Sequence, residues 1–158
     1  MLKRSVSLEQ VMPLIMDHLA AGEDVQFTPQ GTSMRPMIVG GRDHVVLSPV
    51  KGRLKKHDLP FYQRDNGQYV LHRIVKAGER FTCMGDNQYV REPGIRRDQI
   101  LAVVTAFVRN GKRYRVTDFS YRAYCVFWYY SRPFRRCFVA VKRRICVFFA
   151  NKETERSE

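Results

Sequence analysis

Long apolar runs are missing from this chain of 158 residues. The longest, Ala123 to Tyr130, stops at eight residues, whereas a bilayer-spanning helix needs about 20. A transmembrane span is therefore not expected. A secretory leader is not expected either: the start is basic and contains an Ala20-Ala21 pair, but Glu9 and Asp17 interrupt the apolar stretch. The expected location is the cytoplasm or the periphery of a membrane. The four cysteines (Cys83, Cys125, Cys137, Cys146) form no CxxC pair, and no histidine stands at metal-ligand spacing from them. Neither a disulfide framework nor a zinc site is expected, and the thiols are read as buried and reduced. Internal repeats and low-complexity tracts are absent. Acidic residues are scarce in the last third: from Gly111 to Phe149, ten residues are Lys or Arg and only Asp118 is acidic. The net charge of +13 therefore belongs mostly to that segment, where an acidic partner is to be sought.

What is present is enough for a core. At 44% hydrophobic and 12% aromatic residues, the chain fits one folded domain with a small appendage. Ser7 to Ala21 reads as an amphipathic helix capped by Ser7, with Val11, Leu14, Ile15, His18 and Leu19 on one face and Gly22 as its stop. From Val25 the pattern changes to short strands: 25–27, 44–47, 59–62, 69–75, 80–84, 100–108 and 114–116. Asn66-Gly67 and Asn110-Gly111 are the strongest hairpin signals, because both residue types accept positive φ. The expectation is a mainly β chain: an N-terminal helix (1–24), a compact antiparallel β domain (25–117), a basic, aromatic, amphipathic helical segment (118–150) and a polar tail (151–158).

Three stretches of the β region carry candidate chemistry: "GTSMRP" (31–36), "YVLHRIV" (69–75) and "CMGDNQYVREPG" (83–94). Each has a plain structural reading as a turn, a core strand or a hairpin. Together they supply the parts of a nucleophilic site. A serine hydroxyl ionises far too weakly to attack alone and needs a neighbouring base. Histidine suits that task, and a carboxylate fixes its tautomer. Ser33, His72 and either Asp86 or Glu92 provide these groups in the order Ser, His, acid.

Segment by segment and in order, "GTSMRPMIVGGRDHVVL", "LKKHDLPFYQ", "YVLHRIV", "FTCMGDNQYVREPGI" and "ILAVV" resemble the type I signal peptidase family. The likeness spans residues 25 to 108. It extends to the related self-cleaving SOS repressors, and the "HR" pair matches the branch that uses histidine as base where others use lysine. The resemblance implies the coiled antiparallel β domain of that superfamily and a serine endopeptidase that cuts a peptide or precursor protein after small residues. It assigns Ser33 as nucleophile and His72 as general base. Met34 and Thr32 fall beside the substrate, and Pro36 stiffens the bend. Asp86 matches the aspartate of Gly-Asp-Asn and is preferred as the essential acid. Glu92 stands where the family has a second aspartate and is the other candidate.

Three departures accompany the likeness. Gly31 replaces a serine whose hydroxyl aids the oxyanion hole, leaving that task to backbone N–H groups, Ser33's own among them. His57-Asp58 stands in place of a Gly-Asp pair, and the family's N-terminal membrane anchor has no counterpart. No metal or organic cofactor is implied.

The stripe Phe134, Cys137, Phe138, Val141, Ile145, Phe148 and Phe149, flanked by Arg and Lys, has helical spacing. An anionic membrane surface is the partner expected of residues 119–149. Packing against the β domain is the plain alternative, and no nucleic-acid module is recognisable. Two other functions stay in view. One is a self-cleaving regulator, since Ala21-Gly22 resembles that group's cleavage dipeptide. The other is a catalytically weak homologue that binds at a membrane surface.

Overall fold

The computed structural model describes residues 8–135 and Cys137. The chain divides into two compact units, Met1–Arg122 and Ala123–Glu158. The first opens with α1 (Leu8–Ala20), whose Met12, Ile15 and Leu19 are buried. These recur at i, i+3 and i+7, the spacing of one helix face. The expected face included Leu14, which is instead 61% exposed. Only the narrow stripe turned to the sheet is covered, and Leu14 falls outside it. Ser7, the expected cap, lies outside the described residues. Gly22 ends the helix with φ 84. Its N–H donates to the Leu19 carbonyl (3.1 Å), and the Glu23 N–H donates to that of His18 (3.0 Å), which satisfies the last carbonyls.

The strands that follow are β1 (Val25–Phe27), β2 (His44–Ser48), β3 (Pro60–Gln63), β4 (Tyr69–Leu71), β5 (Arg73–Lys76), β6 (Phe81–Met84), β7 (Glu92–Ile95), β8 (Ile100–Arg109) and β9 (Lys112–Arg115). They form two sheets. One has the order β1-β2-β8-β3-β4 with β9 also on β8, and the other the order β5-β6-β7. Every pairing is antiparallel. The mainly β class expected from the sequence is therefore observed. Central β8 shows why the class was readable: its burial alternates from Ile100 to Ala106, as period two requires. Asn110 and Gly111 both have positive φ, and their turn sets Arg109 opposite Lys112.

Two strands depart from the sequence reading. Residues 69–75 look like one strand but are two: β4 pairs with β3 in the first sheet, and β5 with β6 in the second. The chain changes sheets at His72. Meanwhile β7 has the composition Glu-Pro-Gly-Ile, which reads as a turn. Between the sheets, Leu54, Tyr62, Ile74, Phe81, Cys83, Ile95 and Ile100 make a common core.

The loop between β1 and β2 is folded tightly on itself. The Gly41 N–H donates to the Pro29 carbonyl (2.9 Å). A Cβ on Gly40 would lie 2.2 Å from the Gly31 carbonyl oxygen, so only glycine fits there. The second unit contains the greater part of α2 (Phe119–Tyr130). Stacked Tyr124 and Trp128 rings (5.5 Å) and Arg135, placed 3.4 Å over the Trp128 ring, order this part of the chain. Most of the stripe expected to be helical from Phe134 to Phe149 lies outside the described residues. Cys83 and Cys125 are buried thiols as expected, whereas Cys137 is exposed and Cys146 lies outside the described residues.

Gly40→Ala should destabilise the fold by about 3 kcal/mol, since the new methyl meets backbone rather than a movable side chain. Chemical denaturation measures this, and an unchanged midpoint would show that the loop can open without cost.

Candidate active site

Ser33 sits on a single turn of chain rooted by its neighbours. The Arg35 N–H donates to the Thr32 carbonyl (3.2 Å), and the Ile38 N–H to that of Met34 (2.9 Å). Met34, Met37 and Ile38 are buried, so the turn is pinned from below while Ser33 stays half-exposed. The Arg35–Pro36 bond is cis. Pro36 is exposed, and its carbonyl accepts from Arg109 Nη1 (3.2 Å). Asp43 closes the loop: its carboxylate accepts from the Val39 N–H (2.9 Å) and is gripped twice by Arg42 (2.6 and 3.1 Å). Burial acts to raise the Asp43 pKa, but these hydrogen bonds outweigh it and hold the group below the usual carboxylate range.

The Gly85-Asp86-Asn87 turn after β6 presses against this loop. The Asn87 N–H donates to the Ser33 carbonyl (2.8 Å), and Asn87 Nδ2 to that of Thr32 (3.3 Å). A Cβ on Gly85 would lie 2.6 Å from the Ser33 carbonyl oxygen. The glycine is therefore needed for close approach, and the motif acts as a clamp on the backbone of Ser33. Among the described residues, the Ser33 N–H is paired with no acceptor, so it remains available to a developing oxyanion.

The Asp86 carboxylate is held by the arginine that follows the histidine. It accepts two hydrogen bonds from Arg73, at 2.8 and 2.7 Å, and both side chains are almost completely buried. Arg73 Nη1 also donates to the His57 carbonyl (3.1 Å) and to Tyr121 Oη (2.9 Å). His57 takes φ 80, the left-handed region that glycine occupies most easily. That is the position at which the resembled family has its glycine.

His72, between β4 and β5, is 4% exposed. Burial drives its pKa down to about 4. Glu92 and Asp86 pull it upward through space and Arg64 pushes it down, but burial prevails. The imidazole is thus neutral at pH 7. Its Nδ1 lies 3.4 Å from Tyr62 Oη. The Tyr62 hydroxyl donates to Glu92 Oε2, and Arg64 Nη2 donates to Glu92 Oε1.

Ser33, Met34 and His72 line one cleft of about 250 Å³, with Gly31, Arg64 and Gln88 also at its walls. Thr32 and Pro36 are not among the lining residues; they serve the bend. No hydrogen bond joins Ser33 Oγ to His72 among the described residues. Such contacts commonly tighten when substrate binds. Ala21-Gly22 directly follows α1 and is likewise not at the cleft wall. Tyr62 and Arg64 went unnoticed in the sequence, because Tyr62 reads as one more core residue of a strand and Arg64 as part of a turn.

No protein-family model, curated protein or solved structure matches the chain. Its functional reading rests on the motif residues and on the cleft they line.

Asp86→Ala would strand the Arg73 charge in the interior. The expected loss is about 3–5 kcal/mol of stability, typical of breaking one side of a buried pair. Thermal or denaturant unfolding checks this, and a loss below about 0.5 kcal/mol would remove Asp86 from the framework.

Proposed function

We propose that this chain is a serine-type endopeptidase, resembling the type I signal peptidases, that cleaves a peptide or precursor protein after small residues. The observation that carries the reading is the shared cleft: Ser33 and His72 both line it, and His72 is neutral at pH 7. In this scheme Ser33 Oγ attacks the scissile carbonyl carbon while its proton passes to the imidazole. The tetrahedral oxyanion is held by the Ser33 N–H. Collapse breaks the C–N bond, and the imidazolium returns the proton to the departing amine. Water, deprotonated by the same imidazole, then attacks the acyl carbonyl and frees Ser33. Met34, buried beside the nucleophile, limits the space for the side chain preceding the cut.

Ser33→Ala should abolish labelling by a fluorophosphonate probe, and His72→Ala should slow it by about 10²-fold or more. The pH dependence has a defined sign. The folded-state pKa of His72 is depressed, so the base form predominates above about pH 4 and is lost as pH falls through that value. The labelling rate should rise through about pH 4, with no step at the ordinary histidine value of 6.5. Labelling that persists in both variants would remove the Ser-His pair as the site.

The partner proposed for the second unit is an anionic membrane surface. Among the described residues no helix is long and apolar enough to cross a membrane. Val126, Phe127 and Tyr130 are exposed large apolar side chains at i, i+1 and i+4 of α2, hence on one face, and Phe134 is also exposed. Aromatic side chains of this kind insert at the headgroup boundary when basic residues accompany them. Phe127→Glu with Phe134→Glu should lower cosedimentation with vesicles containing phosphatidylserine by about tenfold or more. Unchanged binding would assign that face to another partner.

A further inference from the structure

Among the described residues no carboxylate is hydrogen-bonded to His72, yet its Nδ1 has a definite chemical neighbour. His72 Nδ1 lies 3.4 Å from Tyr62 Oη, on β3. The Tyr62 hydroxyl is in turn hydrogen-bonded to Glu92, on β7, and Glu92 is held from its other oxygen by Arg64. Tyr62 is fully buried and Glu92 is partly so, which makes the direction of each bond a matter of proton counting.

A phenol carries one proton. Burial raises the Tyr62 pKa well above its ordinary value, and the Glu92 hydrogen bond raises it further, so the hydroxyl keeps that proton. Burial also acts to raise the Glu92 pKa, but the hydrogen bonds from Arg64 and Tyr62 prevail and keep the carboxyl ionised. An ionised carboxylate only accepts. The single Tyr62 proton is therefore committed to Glu92, and the phenol oxygen can offer His72 only a lone pair. The bond to Nδ1 requires that Nδ1 bring the proton, which leaves the lone pair on Nε2.

We propose that Tyr62 and Glu92 are positioning residues that hold His72 in its Nδ1–H tautomer, with the tyrosine hydroxyl standing as a bridge between base and acid. This inference rests on the peptidase reading for its consequence, since the Nε2 lone pair is what would receive the Ser33 proton. It divides the two candidate acids: Asp86 holds the framework through Arg73, and Glu92 acts on the base through Tyr62. When His72 becomes an imidazolium during attack, its Nδ1–H strengthens the bond to the phenol oxygen. The phenol proton in turn leans further toward Glu92. No proton needs to leave either residue.

The tautomer can be read without any substrate. Free histidine favours Nε2–H, so the Nδ1–H form is a specific signature. Two-bond 15N–1H correlation spectra at pH 7 distinguish the forms. His18, His44 and His57 can be assigned by substitution, because the chain has only four histidines. Wild-type protein is expected to show a protonated Nδ1 and a bare Nε2 on His72. Tyr62→Phe keeps the ring that fills the core and removes only the bridge. In that variant the signals should revert toward Nε2–H, and fluorophosphonate labelling should slow about tenfold, the rate equivalent of one lost hydrogen bond. In Glu92→Ala the phenol proton is released to donate to Nδ1, so the tautomer should invert outright. Should that variant fail to fold, Tyr62→Phe decides alone. A wild-type Nε2–H form, or a tautomer unchanged by Tyr62→Phe, overturns the proposal. An Nδ1–H form in a wild-type protein that no serine probe labels leaves the positioning intact and removes the peptidase reading.

Discussion

The buried Arg73–Asp86 ion pair is the constraint on which the site depends. Moving two charges out of water costs several kcal/mol each, and only good geometry with further hydrogen bonds offsets it. Here the geometry is two-pronged, and the remaining guanidinium donors reach the His57 carbonyl and Tyr121. Arg73 directly follows His72, at the residue where the chain leaves one sheet for the other. Asp86 is flanked by Gly85 and Asn87, the residues that grip the Ser33 backbone. One ion pair thus ties the strand that begins just after His72 to the turn that clamps the Ser33 backbone.

The two carboxylates beside His72 show how similar groups acquire different tasks. Each is paired with an arginine, Asp86 with Arg73 and Glu92 with Arg64. The first pair is almost wholly enclosed, and neither of its members lines the cleft. The second is about a third exposed, and Arg64 itself lines the cleft wall. Position relative to solvent, rather than residue type, separates framework from site.

Much of this was legible in the sequence because it is local. The hairpin at Asn110-Gly111, the alternation along β8 and the stop at Gly22 each follow from what a few adjacent residues allow. Ser33, His72 and the Gly-Asp-Asn turn could be singled out as motifs for the same reason. What could not be read was which group each side chain would meet. Residues 69–75 form one uninterrupted β-prone stretch with no Gly, Pro or turn residue at His72, so the change of sheet left no mark on the pattern. The Glu-Pro-Gly-Ile composition of β7 concealed a strand, and with it the element that brings Glu92 to Tyr62. Asp86 carried the stronger motif and so attracted the role of acid, although its partner is the arginine next to the histidine.

In the proposed mechanism, a bridge of this kind suits a base that must remain neutral while buried. A carboxylate in direct contact with the imidazole would favour the charged form strongly and raise its pKa. Set one phenol away and partly offset by Arg64, Glu92 raises it too little to overcome burial, and the value stays near 4. The imidazole is then unprotonated over a wide range of pH, but it is also a weak proton acceptor. Proton transfer from Ser33 would be correspondingly unfavourable. Compensation has to come from groups that act only as charge develops: the Ser33 N–H on the oxyanion and the tightening Tyr62–Glu92 bond on the imidazolium. Because Gly31 contributes no hydroxyl to the oxyanion, the balance falls on the second of these. The residues behind His72 therefore have more influence on rate in this arrangement than they would behind a more basic histidine.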